Sequence, residues 1–409
     1  MRDIFTQVQE HGDAGLRRYA AELDGVSELT ELRVSPEEMA AGAAQVPADL
    51  QAAIRQARRN IEAFHRSQQG EEPVVETMPG VRCWRRSVPV QRVGLYVPGG
   101  SAPLFSTLLM LGVPARLAGC PEIVLCTPPG RGTGLIHPAI LFVAQELGLR
   151  TIIKAGGAQA VAALTYGTES VPAVDKIFGP GNRYVTAGKQ LATQLGVAID
   201  MPAGPSEVLV IADQSANPVF VAADLLSQAE HGPDSQVVLL TDAPELLPRI
   251  LAEVAAQLAV LPRQDVARRA LAESRAIVLP DAAAMLRFSN QYAPEHLILA
   301  VAEPERLAAA VTNAGSVFLG HLTPEAVGDY ASGTNHTLPT NGYARNYSGV
   351  SLDSFVKKIT FQRLSAEGIA GLAATVETMA EAEGLRAHAQ AVAFRRVAVA
   401  ELVAELKEG

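Results

Sequence analysis

The feature that most constrains the fold is a regular alternation between residues 92 and 320. Short runs of β-forming apolar residues alternate there with segments of helical periodicity. This alternation predicts βαβ units, in which successive strands lie parallel in one sheet. The run VLVIA has no polar alternation, which is typical of a strand covered on both faces. The predicted strands are VGLYV (93–97), EIVLCT (122–127), TIIKA (151–155), KIFG (176–179), EVLVIAD (207–213), VVLLT (237–241), AIVL (276–279), HLILAV (296–301) and SVFLG (316–320).

These strands are too many for one small sheet, and 409 residues correspond to about two or three domains. We therefore predict an α/β fold with two doubly wound, incomplete Rossmann-like parallel-sheet domains and helical N- and C-terminal extensions. A closed eight-stranded barrel is the alternative. Helical periodicity covers most of residues 1–90 and resumes from 351, after a Gly-, Thr- and Asn-rich loop that follows Gly320.

Composition excludes several classes of protein. The net charge is −9, which argues against a general nucleic-acid binder because such a protein needs a basic face. No apolar stretch reaches the roughly 18–20 residues of a membrane span, and the N-terminus lacks the apolar core of a signal peptide. The three cysteines are too few for a disulfide framework, so we expect reduced thiols and a cytoplasmic location.

Three glycine-containing turns follow predicted strands: YVPGGSAP (96–103), AGGAQA (155–160) and FGPGNRY (178–184). Open α/β sheets bind ligands at the carboxyl ends of their strands, and the following helix N-terminus offers free N–H groups. None of the turns is the GxGxxG fingerprint, so a nucleotide would be held in a variant way. Three such turns in consecutive βα units favour a ligand-binding crevice over a purely structural role of the glycines in tight turns.

Two pairs of polar residues are candidates for chemistry. Gln228 and His231 lie at i and i+3, on one face of a helix that ends at Gly232. They form an incomplete metal site or, alternatively, ordinary surface residues at a helix end. Glu295 and His296 are adjacent at a strand entrance and suit a general base and acid. Side chains alternate along a strand, so the two share a site only if the backbone there is still a loop.

The irregular segment 328–340 contains Asp329 and His336, both ligand types for zinc. Asx turns at Asp329 and Asn335 are the alternative explanation of these polar residues. Near the C-terminus, Glu383 and His388 are five residues apart, about 140° around a continuous helix, so acting together requires a kink or loop.

The sequence closely resembles the histidinol dehydrogenase family from about residue 92 to residue 388. The motifs that carry the resemblance are YVPGGSAPLFST, AGGAQA, TESVPAVDKIFGPGN, IDMPAGPSEVLVIAD, DLLSQAEHGPDSQV, QYAPEHL, AGSVFLG, GDYASGTNHTLPT and the terminal LRAH. The resemblance implies oxidation of L-histidinol through L-histidinal to L-histidine, with two NAD⁺ and one zinc ion per subunit. It also implies an intertwined homodimer whose active site is shared between subunits.

The resemblance further assigns roles to individual residues, all of which have the family's residue type here. It implies zinc ligands at Gln228, His231 and Asp329, completed by His388 from the partner subunit. It implies a proton-handling pair formed by Glu295 and His296. It implies NAD contacts at Tyr96, Gln159 and Asn182. It implies substrate contacts at Ser206, Gln228, His231, His296, Asp329, Glu383 and His388.

With these roles, we predict three parts. Residues 1–95 and 208–350 form the α/β domain with the metal and catalytic residues. Residues 96–207 form the domain with the NAD contacts, and residues 351–409 form a helical dimerisation segment.

Two other functions remain open. A cysteine-dependent aldehyde dehydrogenase needs a nucleophilic cysteine at a strand–helix turn, whereas these cysteines lie in or before strands. A catalytically inactive nucleotide-binding paralogue would keep the fold without the chemistry.

Overall fold

The computed structural model describes residues 1–27, 29–99, 103–202 and 204–408. The chain divides into two compact units. The first unit comprises Met1–Gln68 and Val90–Phe355, and the second comprises Gln69–Pro89 and the chain from Val356 onward. Among the described residues, no helix combines the length and apolar character needed to cross a membrane.

The elements alternate as the sequence predicts across the middle of the chain. In chain order the strands are β1 (Val75–Met78), β2 (Val81–Pro89), β3 (Arg92–Tyr96), β4 (Glu122–Thr127), β5 (Thr151–Lys154), β6 (Lys176–Phe178), β7 (Ala198–Ile199), β8 (Glu207–Ala212), β9 (Gln236–Thr241), β10 (Arg275–Val278), β11 (His296–Ala300), β12 (Ser316–Leu319) and β13 (Val356–Leu364). The α-helices are α1 (Arg2–Tyr19), α2 (Pro36–Ala43), α3 (Ala48–Arg66), α4 (Phe105–Ala118), α5 (Pro138–Glu146), α6 (Gly157–Tyr166), α7 (Arg183–Gln194), α8 (Pro218–Ala229), α9 (Leu246–Val260), α10 (Gln264–Ala272), α11 (Ala282–Tyr292), α12 (Pro304–Ala308), α13 (Glu325–Tyr330), α14 (Ala366–Ala382) and α15 (Arg386–Glu408).

The first unit contains two parallel sheets of the same topology. One has the order β5-β4-β3-β6-β7 and the other the order β10-β9-β8-β11-β12. In each, the chain starts in the middle strand, adds two strands on one side and then returns to the other side. This is the strand order of a doubly wound half-Rossmann sheet, so the predicted fold class is confirmed and the closed barrel is wrong.

Each sheet is buried on both faces, as its apolar strands predict. In the first sheet, Leu125 packs into one core cluster, whereas its neighbours Val124 and Cys126 pack into the other. In the second sheet, Val208 and Leu209 likewise belong to cores on opposite faces. Successive side chains of a strand point to opposite faces, so an uninterrupted apolar run serves both cores at once.

Several elements depart from the prediction. The helix α13 lies in the loop expected after Gly320, and the short strand β7 lies where the sequence predicts no element; both are too short to show a period. Strands β1, β2 and β13 form an antiparallel sheet of the second unit in segments expected to be helical. In β13 nearly every side chain is exposed or half-exposed, so no apolar run marks this strand in the sequence.

The N-terminal helices pack against helices of the first sheet: α1 contacts α6, α2 contacts α5, and α3 contacts α4. The sequence-based division groups these helices with the second sheet instead. The division into three functional parts stays a prediction.

Candidate active site

The polar residues singled out in the second half of the chain meet at the amino ends of the second sheet. Glu207 begins β8, His296 begins β11, and His296 pairs with Val208 in the ladder between these strands. Because β8 and β9 are parallel, α8 returns the chain to this same end and places Gln228 there. The cluster therefore lies opposite the carboxyl ends where open α/β sheets usually bind ligands.

The first group in this cluster has the chemistry of a metal site. His231, Glu325 and Asp329 each offer a ligand atom, and these atoms lie within 4.8 Å of one another. Nε2 of His231 is 3.9 Å from Oδ2 of Asp329. Imidazole nitrogens and carboxylate oxygens are ligands that zinc accepts.

Gln228 lies beside this group and is fully buried. With its amide oriented to satisfy both atoms, Gln228 donates a hydrogen bond to Oε1 of Glu325 and accepts one from the Glu207 N–H at 2.7 Å. The structure thus brings Gln228 and His231 next to Asp329, which lies about a hundred residues later in the sequence. It adds Glu325, which the sequence reasoning missed although it lies one helical turn before Asp329.

The second group surrounds His296. Its Nδ1 lies 3.7 Å from Oε2 of Glu295 and 3.9 Å from Oε1 of Glu325. Its Nε2 lies 3.5 Å from Oδ1 of Asp329. Glu295 lies in the bend before β11, where its Oε2 accepts a hydrogen bond from the Glu207 N–H at 2.8 Å. The condition for Glu295 and His296 to share a site is met, because strand alternation starts only at His296.

Burial and charge shift the protonation of this group. Burial raises the pKa of Glu295 to about 8 and that of Glu325 to about 8. Burial acts to lower the pKa of His296, but the carboxylates of Glu295, Glu325 and Asp329 outweigh it and raise this pKa to about 10. Burial would raise the pKa of Asp329, yet the hydrogen bond and charge of His296 hold it below its usual value. The pocket therefore contains several groups able to exchange protons.

His336 closes another side of the cluster. Its Nδ1 lies 2.8 Å from the backbone oxygen of Asp329, and its Nε2 lies 3.3 Å from Oγ1 of Thr107. Burial lowers its pKa, which favours the neutral imidazole. The neighbouring Asn335 accepts a hydrogen bond from the Thr337 N–H, so the Asx-turn reading holds for this asparagine.

The remaining predicted substrate residues lie in different surroundings. Ser206 is half-buried immediately before β8, and its backbone oxygen accepts a hydrogen bond from the Gln236 N–H at 3.1 Å. Glu383 and His388 belong to the second unit, where both are exposed. Gly384 lies between their helices with a positive φ of 74°, so α14 and α15 are separate and the continuous-helix geometry does not apply.

The three residues assigned to NAD line one large cavity. Tyr96, Gln159 and Asn182 lie on its wall, and its volume is about 1320 Å³. Tyr96 ends β3, and its hydroxyl accepts a hydrogen bond from the Gly157 N–H at 3.0 Å. Oε1 of Gln159 is buried and has no hydrogen-bond partner within the described chain. Asn182 caps α7 by accepting from the N–H groups of Tyr184 and Val185.

The turn before Asn182 has a strict requirement for glycine. Gly179 has a φ of 132°, and a Cβ there would lie 2.1 Å from the backbone oxygen of Tyr96. Lys189 donates to the backbone oxygen of Gly179 at 2.8 Å and forms a buried ion pair with Asp200. Gly179 therefore allows the chain after β6 to pass against the end of β3, where Tyr96 lines the cavity.

None of the three cysteines is a member of either group of polar residues described above. Cys120 and Cys126 are buried and Cys83 is half-buried in β2. Burial raises the pKa of Cys120 to about 11 and raises that of Cys126 further, which disfavours the reactive thiolate.

Fold and site together define a class: an α/β protein with two half-Rossmann parallel sheets, a large cavity at the carboxyl ends of the first sheet and a candidate metal cluster at the amino ends of the second. The comparisons with known proteins narrow this class. The family model described as histidinol dehydrogenase matches residues 1–396. Histidinol dehydrogenases from Bacteroides fragilis and Bacteroides thetaiotaomicron are 55% and 57% identical over 395 residues, covering 97% of this chain and 92% of each relative. The chain belongs to the histidinol dehydrogenase family.

Solved structures agree with this membership. The crystal structure of histidinol dehydrogenase from Elizabethkingia anophelis has a TM-score of 0.95 and 56% identity, covering 97% of this chain and 92% of that one. Betaine aldehyde dehydrogenase from Staphylococcus aureus has a TM-score of 0.52 at 11% identity, covering 88% of this chain and 86% of that one. The second likeness concerns the fold alone.

Proposed function

We propose that this protein oxidises L-histidinol to L-histidine through L-histidinal, using two NAD⁺ and one zinc ion per subunit, in the cytoplasm. The observation that carries the proposal is the buried Glu295–His296 pair beside the His231–Glu325–Asp329 group. A proton-accepting pair next to a set of metal ligands suits an alcohol oxidation, and family membership supplies the substrate.

The donor set fits zinc. Gln228, His231 and Asp329 would hold the ion with His388 of a second copy of the chain, and this mixed nitrogen and oxygen set suits zinc. When bound, zinc supplies positive charge that orients and polarises the substrate. Glu325 contacts Gln228 and has a buried Oε2 without a partner in the described structure, so it offers a further acceptor to the metal or its ligands.

The cavity of the first sheet fits a dinucleotide. Its volume exceeds that of ordinary small-ligand pockets, and the buried unpaired Oε1 of Gln159 is an acceptor in need of a donor. Tyr96, Gln159 and Asn182 would contact NAD⁺, which accepts the hydride in each oxidation.

The residues of the chain handle the protons. In the first step His296, once its own proton has passed to a neighbouring carboxylate, takes the hydroxyl proton of histidinol while hydride leaves the alcohol carbon, which gives the aldehyde. In the second step Glu295 takes a proton from the water that adds to the aldehyde, and loss of a second hydride gives the acid. The sum is one alcohol, one water and two NAD⁺ giving one carboxylate, two NADH and three protons.

The shared site also accounts for the exposure of Glu383 and His388. We propose that these residues contact substrate and metal in the partner's site, as part of a homodimer, with Ser206 as a further substrate contact. Residues that complete a partner's site are expected to be exposed when one subunit is considered alone.

The test is an absorbance assay of NADH formation with L-histidinol before and after metal removal. We expect activity that disappears on chelation and returns with zinc. Absence of turnover by folded, zinc-loaded protein at saturating NAD⁺ would contradict the proposal, and it would favour the inactive nucleotide-binding paralogue.

A further inference from the structure

The cavity of the first sheet lacks an acidic residue at the usual place. In doubly wound dinucleotide-binding folds, a carboxylate about twenty residues after the glycine-rich turn binds the adenosine ribose. It commonly follows the second strand of the sheet. Here that strand is β4, which ends at Thr127, and the residues after it are Pro128, Pro129, Gly130 and Arg131. The second strand therefore supplies no carboxylate at its end.

A carboxylate from the N-terminal part of the chain lies at this place instead. Asp24 ends a π-helical turn, Ala20–Asp24, that follows α1, and its side chain lines the cavity. A Cβ built on Gly156 would lie 3.3 Å from Oδ1 of Asp24 and 2.6 Å from Cβ of Pro128. Asp24 therefore lies beside the residue that follows β4 and beside the turn that follows β5.

Asp24 is also short of partners. Its Oδ2 is buried without a hydrogen bond from any described residue. Burial raises its pKa to about 6, against the opposing charge of Arg131, so it remains mostly ionised at neutral pH. The other acid on the cavity wall, Glu38, also has a buried oxygen, Oε1, without a partner in the described structure, but the charge of Glu38 is balanced because its Oε2 pairs with Lys154 at 2.7 Å. A buried, ionised and unpaired acceptor is costly unless a ligand donates to it.

We propose that Asp24 accepts hydrogen bonds from the ribose hydroxyls of the adenosine half of NAD⁺ and thereby discriminates against NADP⁺. The inference rests on the proposed use of this cavity for NAD⁺. A free 2′-hydroxyl is a donor to the carboxylate. A 2′-phosphate at the same place brings negative charge against Asp24 and offers it no donor.

Calorimetric binding of two cofactor fragments, ADP-ribose and its 2′-phosphorylated form, tests this without relying on turnover. For Asp24→Asn we expect ADP-ribose to bind about 10- to 100-fold more weakly, the range for losing a hydrogen bond to a charged group. The preference for ADP-ribose over the phosphorylated fragment should shrink by at least about tenfold, because the repulsive charge is gone.

Two variants serve as controls. Glu38→Gln removes the paired acid of the same cavity, and Asp265→Asn removes an exposed acid at the start of α10. Asp265→Asn should keep the wild-type preference between the two fragments, and Glu38→Gln should change that preference less than Asp24→Asn does. Asp24→Ser provides a second test with a smaller side chain, and thermal unfolding verifies that each variant is folded.

The outcomes separate the two proposals. If wild-type protein binds ADP-ribose and the Asp24 variants keep the same preference, the role of Asp24 is refuted while the NAD cavity stands. A shifted preference in Glu38→Gln but not in Asp24→Asn also overturns it. If the wild type binds neither fragment nor NAD⁺, the cavity is not a dinucleotide site, and both proposals fail.

Discussion

Replacing Glu325 with glutamine should weaken zinc binding without unfolding the protein. Glu325 is 1% exposed, its Oε1 accepts a hydrogen bond from Gln228, and its Oε2 has no partner in the described structure. The variant keeps the size of the side chain but replaces the carboxyl group, which in its ionised form holds Gln228 and faces the other ligands. Residues that orient metal ligands typically change affinity by about 10- to 100-fold, which corresponds to about 1.4–2.8 kcal/mol.

The stability of the metal-free protein should respond differently. A buried carboxylate with an unpaired oxygen is costly to the fold, so Glu325→Gln should leave the thermal midpoint of the metal-free protein unchanged or raise it. Competition with a chromophoric chelator gives the zinc affinity, and scanning calorimetry of chelated protein gives the midpoint. Glu305→Gln, an exposed acid in the first turn of α12, is the matched control.

The reasoning is refuted if folded Glu325→Gln binds zinc within about twofold of the wild type. It is also refuted if the loss of affinity merely follows a loss of metal-free stability. Either result would mean that Glu325 fills space beside the ligands and does not hold them.

Three further predictions concern the other parts of the site. Glu295→Gln should spare oxidation of histidinol to histidinal more than oxidation of histidinal, because only the second step needs water activation; equal losses, measured with each substrate separately, would refute the division of roles. Mixing His231→Ala subunits with His388→Ala subunits should restore about one of the two sites in each heterodimer. No recovery of NADH formation after verified subunit exchange would indicate a site closed within one chain. Alkylation of accessible thiol, monitored by mass spectrometry, should modify Cys83 before the buried Cys120 and Cys126 and leave activity intact. Inactivation in step with alkylation would revive the cysteine-dependent mechanism.

The two parallel sheets could be predicted because their strands are buried on both faces. A run such as Val208 to Ile211 must be apolar throughout when alternate residues enter different cores. The antiparallel sheet escaped prediction for the opposite reason. Strand β13 carries Lys357, Lys358 and Arg363 on a largely exposed ribbon, so neither face produces an apolar pattern.

The candidate site could be predicted only in part. The i, i+3 spacing indicated that Gln228 and His231 share a face, but nothing local connects them to Asp329. That proximity follows from the crossover topology of the second sheet, which returns α8 to the amino end of β11. The sequence does not single out Glu325 or Asp24, because acidic residues in the first turn of a helix or before a glycine are common on protein surfaces. Tertiary packing shows that each has a buried oxygen without a partner among the residues that the structure describes.

The most direct test of the proposed function is the number of NADH molecules formed per histidinol. Limiting L-histidinol should be incubated to completion with excess NAD⁺ and zinc-loaded protein, with NADH measured by absorbance and the product by chromatography. The proposed two-step oxidation predicts two NADH and one L-histidine for each histidinol consumed. One NADH with accumulation of L-histidinal would contradict it, because the protein would then be a simple alcohol dehydrogenase.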